Sequence, residues 1–235
     1  MTLQFITRTS LRRPNAIIFD WDDTLADHQA VANASMEKLF GEHCRGPIPP
    51  LDAIWQAWYH ARPTFYTYFP HMTQEAVDAA YLSWEIQHTK DGLRLFEDAA
   101  DTLAHFHKQR IPMGIGSNKP QDLLDEVIDR LEVREYFRAV EGKQKGRRRK
   151  PAPDVFIETA RKMGVELENI WVIGDSMDDM LAARMDAFQR ILIGSKHREK
   201  MKLEDPSDPL GKIIYLDTIG DARKLLPLTL GMYQR

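Results

Sequence analysis

Apolar positions along this chain follow two rhythms. Short apolar, β-rich runs occur at residues 16–19, 111–115, 137–140, 170–173, 190–193 and 213–216. Helical patterns or loops separate consecutive runs. Strands that read as continuous apolar stretches are buried on both faces, so this alternation predicts a mainly parallel sheet with helices on each side, a three-layer α/β core. From Leu25 to about Ala99 the strand rhythm stops, and helical spacing takes over at 27–40, 51–61 and 73–89. The run Gly46-Pro47-Ile48-Pro49-Pro50, the pairs Arg62-Pro63 and Phe69-Pro70, and Asp91-Gly92 mark joints in this stretch. The expectation is an α/β core of residues 1–26 and 92–235, interrupted by a helical unit at 27–91.

Trp55, Trp58, Tyr59, Tyr66, Tyr68, Tyr81 and Trp84 crowd the inserted unit. Trp55, Trp58, Tyr59 and Arg62 have spacings compatible with one helix face, and packing between helices is their expected role. With 235 residues, 43% of them hydrophobic and 29% charged, the chain can build a sizeable core. A net charge of -3 gives no global pull toward nucleic acid or an acidic membrane. Cys44, the single cysteine, has no partner for an internal disulfide and reads as an inert thiol in a reducing, cytoplasmic setting. The first fifteen residues lack a long apolar core, so they read as a leader into the first strand and not as a signal peptide or membrane span.

Chemistry concentrates where strands end. In Ile17-Ile18-Phe19-Asp20-Trp21-Asp22-Asp23-Thr24-Leu25, carboxylates gather at the carboxyl end of a buried strand, where ligand sites of open parallel sheets lie. Asp20 and Asp22 point the same way on an extended segment and repel unless a cation or a proton intervenes, and either arrangement serves phosphoryl transfer. A helix-capping turn accounts for Asp23 or Thr24 but not for Asp20. The stretch Gly114-Ile115-Gly116-Ser117-Asn118-Lys119-Pro120 runs into a helix expected at Gln121, a turn able to cradle phosphate through Ser117 and backbone amides. In the basic loop 143–150, Lys150, followed by Pro151, is the residue expected to neutralise a phosphorylated intermediate. The other basic residues read as a solvated loop. Nucleic acid is not expected as a partner, although this loop leaves a polyanion open. Finally, Trp171-Val172-Ile173-Gly174-Asp175-Ser176-Met177-Asp178-Asp179 ends a buried strand in an oxygen-rich loop suited to magnesium. A helix beginning at Ser176 would put Asp175 and Asp179 one turn apart and facing one site, with Asp178 pointing elsewhere. His105 and His107, two apart, do not share a helix face, and no histidine has metal-ligand spacing.

Taken in order, Asp20 to Thr24, Ser117-Asn118, Lys150-Pro151 and Gly174 to Asp179 resemble the four motifs of the haloacid dehalogenase-like superfamily, in its phosphatase branch with a helical cap after the first motif, as in phosphoglycolate phosphatases. The resemblance spans about Ala16 to Ile193 and implies a Rossmann-like core. It further implies that Asp20 attacks phosphorus to form an aspartyl-phosphate, and that Asp22 protonates the leaving alkoxide and then activates water. Asp20, the backbone carbonyl of Asp22 and Asp175 would hold Mg2+, with Asp179 as ligand or support. Ser117, Asn118 and Lys150 would hold the phosphate of a small phosphorylated substrate, and closure of the cap would exclude bulk water and select by size. Asp23 stands where glycine is frequent, and Met185-Asp186 replaces a small pair. Retention of Asp22 favours phosphate-ester hydrolysis over dehalogenation. A phosphosugar mutase, which keeps both aspartates, is the alternative enzyme, and a noncatalytic phosphate-binding module the alternative of another class.

Overall fold

The computed structural model describes residues 11–194 and 213–228. The chain divides into two compact units, one of Met1–Ala26 with Leu95–Arg235 and one of Asp27–Arg94. Most of the expected leader lies outside the described residues.

The first unit is built on a 6-stranded parallel sheet: β1 (Ala16–Phe19), β2 (Met113–Pro120), β3 (Ala139–Lys143), β4 (Ile170–Gly174), β5 (Phe188–Ile193) and β6 (Ile214–Leu216), in the order β3-β2-β1-β4-β5-β6. The α/β architecture with a parallel sheet is the expected one. β1 is central, with Ile18 in register with Gly114 on one side and Val172 on the other. Every residue of β1 and β4 is buried, which is why both read as unbroken apolar runs. On one face, Ala16, Ile18, Ile170 and Val172 pack with Val155, Phe156, Ala160 and Met163, from a helix at Asp154–Met163. That helix ends on Gly164 at φ 68, the left-handed cap that glycine adopts without steric cost. β2 runs five residues past the expected end at 115, carrying Ser117, Asn118 and Lys119 as part of the strand.

Among the described residues the second unit contains α1 (His28–His43), α2 (Leu51–His60), α3 (Arg62–Tyr66) and α4 (Gln74–Gly92). Asp27 caps α1 by accepting from the Ala30 amide, and Thr73 caps α4 by accepting from the Ala76 amide. The short α3 occupies what reads in the sequence as a joint, because proline in a first turn starts a helix as readily as it breaks one. Met36, Leu39, Phe40, Ile54, Phe65, Phe69, Val77 and Tyr81 form its core, against which Trp55 and Trp58 pack. Arg62 lies outside α2, yet its guanidinium stacks 3.3 Å from the Trp58 ring centroid while donating to Asp78 and Tyr66. Cys44 is partly buried against the same cluster, and burial raises its thiol pKa. Among the described residues no helix is long and apolar enough to cross a membrane.

Candidate active site

The site is assembled at the carboxyl ends of β1, β2 and β4. The Asp20 amide continues the ladder by donating to the Ile173 carbonyl at 2.8 Å, which holds the Asp20 side chain beside the loop that follows β4. Beyond Asp20 the chain folds into a tight turn. The amides of Thr24, Leu25 and Ala26 converge on the Trp21 carbonyl, and the Asp23 amide donates to the Ala26 carbonyl. Asp23 adopts φ 58, the left-handed region in which glycine is most at ease and aspartate is tolerated better than most residues. That conformation is the physical reason glycine suits this position. The turn buries Thr24 completely and aims its hydroxyl at Asp20 Oδ2 (3.1 Å) and Asp175 Oδ1 (3.3 Å).

After β4, Ser176 caps a short helix at Met177–Ala182. Asp179 returns the cap, with its Oδ2 accepting from the Ser176 amide and hydroxyl. Convergence of Asp175 and Asp179 thus comes from this capping box and not from two positions on one helical turn, since Asp175 precedes the helix. Asp178 is exposed. Gly174 makes the approach possible: a Cβ there would lie 2.5 Å from Asp179 Cγ.

Lys150 enters from the loop after β3 and is almost wholly buried. Its ammonium donates to Asp20 Oδ1 (2.5 Å), Asp179 Oδ1 (2.6 Å) and the Gly116 carbonyl (3.1 Å). The Asn118 side chain clamps the Lys150 backbone, with its Oδ1 accepting from the Lys150 amide at 3.0 Å and its Nδ2 donating to the Lys150 carbonyl at 3.3 Å. The Ser117 hydroxyl is buried next to this clamp and accepts from the Lys119 amide. Lys119 turns its side chain to Asp22, with Nζ 2.9 Å from each carboxylate oxygen.

The remaining basic loop is partly neutralised. Buried Glu141 on β3 accepts from Arg147 at 2.7 Å and pairs with Lys162, while Arg148 pairs with Asp154.

Asp20, Asp175 and Asp179 each offer an oxygen, and these atoms lie within 4.8 Å of one another. Burial, partly offset by Lys150, pushes the Asp20 carboxyl up to about 7. Burial, followed by the charges of Asp20, Asp179 and Asp23, pushes Asp175 up to about 9. Burial pulls the Lys150 ammonium down, but the charges of Asp20 and Asp179 outweigh it and the net shift is upward. Crowded hard oxygen donors whose negative charges oppose one another fit a divalent cation such as magnesium, and lack the thiols and imidazoles that softer metals prefer. Asp179 has both oxygens engaged by protein donors, whereas Asp175 is half-buried and accepts from Thr24 on Oδ1.

The structure therefore brings Asp20, Lys150, Asp175 and Asp179 into direct contact or mutual reach, with Asn118 and Ser117 bordering Lys150. Asp22 stands close enough for its charge to raise Asp20, but its own carboxylate is committed to Lys119. Thr24 and Lys119 were not singled out in the sequence. The signal for Thr24 was a hydroxyl inside an acidic turn, and the signal for Lys119 was a second basic residue near the end of an apolar strand.

A family model described as haloacid dehalogenase-like hydrolase matches residues 17–193. The phosphoglycolate phosphatase of Photorhabdus laumondii is 29% identical over 185 residues, covering 74% of this chain and 77% of that protein. That of Escherichia coli K12 is 32% identical over 95 residues, covering 40% of this chain and 38% of that protein, well under half of its length. In structure, a Had-superfamily hydrolase from Ehrlichia chaffeensis superposes with a TM-score of 0.60 at 20% identity, over 93% of this chain and 98% of that one. CbbY from Rhodobacter sphaeroides, solved in complex with phosphate, gives 0.66 at 15% identity, over 89% and 96%. At such identities the structural likeness speaks for the fold.

Proposed function

The chain belongs to the haloacid dehalogenase-like hydrolase family, and on that premise we propose that it is a magnesium-dependent phosphatase, hydrolysing a small phosphomonoester through an aspartyl-phosphate on Asp20. The observation that carries this reading is the gathering of Asp20, Asp175 and Asp179 within 4.8 Å around a site where Lys150 already contacts the nucleophile. Residues 1–26 and 92–235 are taken as the catalytic core and 27–91 as the cap.

In the first step an Asp20 oxygen attacks phosphorus, the bond to the ester oxygen breaks, and Asp22 gives its proton to the departing alkoxide. In the second, Asp22 takes a proton from water, the water oxygen attacks phosphorus, and the Asp20 carboxylate leaves as inorganic phosphate forms. Lys150 offsets the negative charge that accumulates when an anionic nucleophile meets an anionic phosphate. Ser117 offers a hydroxyl to a phosphate oxygen, and Asn118 contributes by fixing Lys150. Asp20, Asp175 and the Asp22 carbonyl would hold the Mg2+, with Asp179 supporting Lys150 and the loop after β4. Bound there, the ion would supply a fixed positive charge that makes the approach of Asp20 to phosphate tolerable.

Phosphoglycolate heads the compounds to test, because relatives in Photorhabdus and Escherichia are named for it. The experiment is phosphate release from a panel of small phosphomonoesters with magnesium, beside Asp20→Asn. Magnesium-dependent release abolished in the variant supports the proposal. Turnover that persists in Asp20→Asn, or an isomer formed in place of free phosphate, would overturn it.

A further inference from the structure

Two buried ammonium groups hold three of the carboxylates of this site, Asp20, Asp179 and Asp22. Lys150 serves Asp20 and Asp179, whereas Lys119 is directed at Asp22, 2.9 Å from both oxygens. The Lys119 side chain is 3% exposed and that of Asp22 is 26% exposed. The asymmetry matters because the two residues have different supports. Asp22 sits in the turn after β1, while Lys119 is buried near the end of β2, between Asn118 and Pro120, a proline of fixed φ.

A carboxylate on a turn and one-quarter exposed has rotamer freedom to lose before it can act as a general acid. Proton transfer requires it within hydrogen-bond reach of the leaving oxygen, and even a small misplacement is costly. Two contacts to one ammonium fix the direction in which the carboxylate faces. They do not exhaust it, since each carboxylate oxygen has further acceptor capacity facing away from the lysine.

We infer that Lys119 is a positioning residue for Asp22: by holding both carboxylate oxygens from a buried position near the end of β2, it aims Asp22 at the oxygen of the departing alcohol. The inference rests on the phosphoryl-transfer reading above. It predicts that Lys119 matters in proportion to how much the leaving group needs a proton. An alkoxide must be protonated as its bond to phosphorus breaks; p-nitrophenolate is stable as an anion and leaves without help.

The test compares kcat/KM for glycerol phosphate and for p-nitrophenyl phosphate in the full chain with magnesium. This quantity covers only the steps through leaving-group departure, so hydrolysis of the aspartyl-phosphate does not enter it. Lys119→Met and Lys119→Gln are measured with Asp22→Asn, and all three are checked for folding by thermal melting. Loss of Asp22 should depress the alkyl ester about 100-fold more than the aryl ester, the scale of general-acid assistance. The Lys119 variants should show the same bias at about tenfold, with Lys119→Arg recovering most of it. Equal loss on both esters in the folded variants would make Lys119 a structural or phosphate-holding residue and overturn the inference, as would no loss on either. If Asp22→Asn itself shows no leaving-group bias, the assignment of Asp22 as acid fails first, a result distinguishable from failure of Lys119 alone.

Discussion

A methyl group added to Gly174 would sit 2.5 Å from Cγ of Asp179, inside any tolerable contact. Asp179 cannot retreat cheaply, because it is 1% exposed and held by Ser176 on one oxygen and Lys150 on the other. Gly174→Ala is therefore expected to cost about 2 kcal/mol in stability, the scale of overpacking a filled interior. Activity should fall further than stability alone explains, because the displaced carboxylate is a partner of Lys150. Denaturant melts and kcat on one phosphomonoester check this, and an Ala variant with native activity would contradict it.

Thr24 joins the two carboxylates proposed to hold the cation, with a hydroxyl near Asp20 and Asp175 alike. Thr24→Val keeps the shape and removes the donor. The expected loss is about 1 kcal/mol of stability, as for one buried hydrogen bond. Magnesium affinity should weaken about tenfold, as when an outer partner of a metal ligand is removed. Calorimetric titration of magnesium into the folded variant reads this without recourse to turnover.

The raised carboxyl groups set a pH dependence with a definite sign. Folded Asp20 and Asp175 retain protons up to about 7 and about 9, whereas an unfolded carboxyl releases its proton near 3.8. In that window the folded state binds more protons than the unfolded one, so stability from these groups is full below the unfolded value and lost as pH rises through the folded values. In chelator the melting temperature should fall as pH rises from about 4 to about 9, and added magnesium should stabilise more at the alkaline end. A magnesium increment that is flat across this range would argue against the carboxylates as its site.

Within the basic loop, the two arginine pairs differ in depth. Glu141 is 2% exposed in its side chain and receives both Arg147 and Lys162. Glu141→Leu should cost about 2 kcal/mol, less than a fully buried pair because both cations reach solvent. Asp154→Asn, opposite the largely exposed Arg148, should leave the melting curve unchanged within error. Paired thermal melts decide between these depths.

What the sequence disclosed follows from which signals are local. β1 and β4 were legible because strands buried on both faces are apolar throughout and end abruptly at Asp20 and Asp175. The capping box of Ser176 and Asp179 was half legible: the residues were visible, but a helix starting one residue later changes why they converge. Lys119 lay hidden because its meaning depends on Asp22, 97 positions earlier. Chain spacing does not report which side chain crosses between neighbouring strands. Glu141 was equally hidden, since one polar residue in a short strand gives no hint that two cations from different elements meet it.

The central place of β1 has a consequence for the order in which the molecule is made. The strand that ends at Asp20 is synthesised before the other strands described in its sheet, yet Thr24, the hydroxyl partner of Asp20, meets Asp175 across 151 positions and Asp20 meets Lys150 across 130. Contacts so distant along the chain carry a large closure entropy and form late. A nascent chain that has emerged only as far as β3 has its nucleophile but not yet Lys150, and one edge of β1 is bare of the β4 ladder. Competence should therefore arrive abruptly, with the emergence of β4, and a ribosome stalled before residue 170 would display an apolar edge to chaperones and no working enzyme.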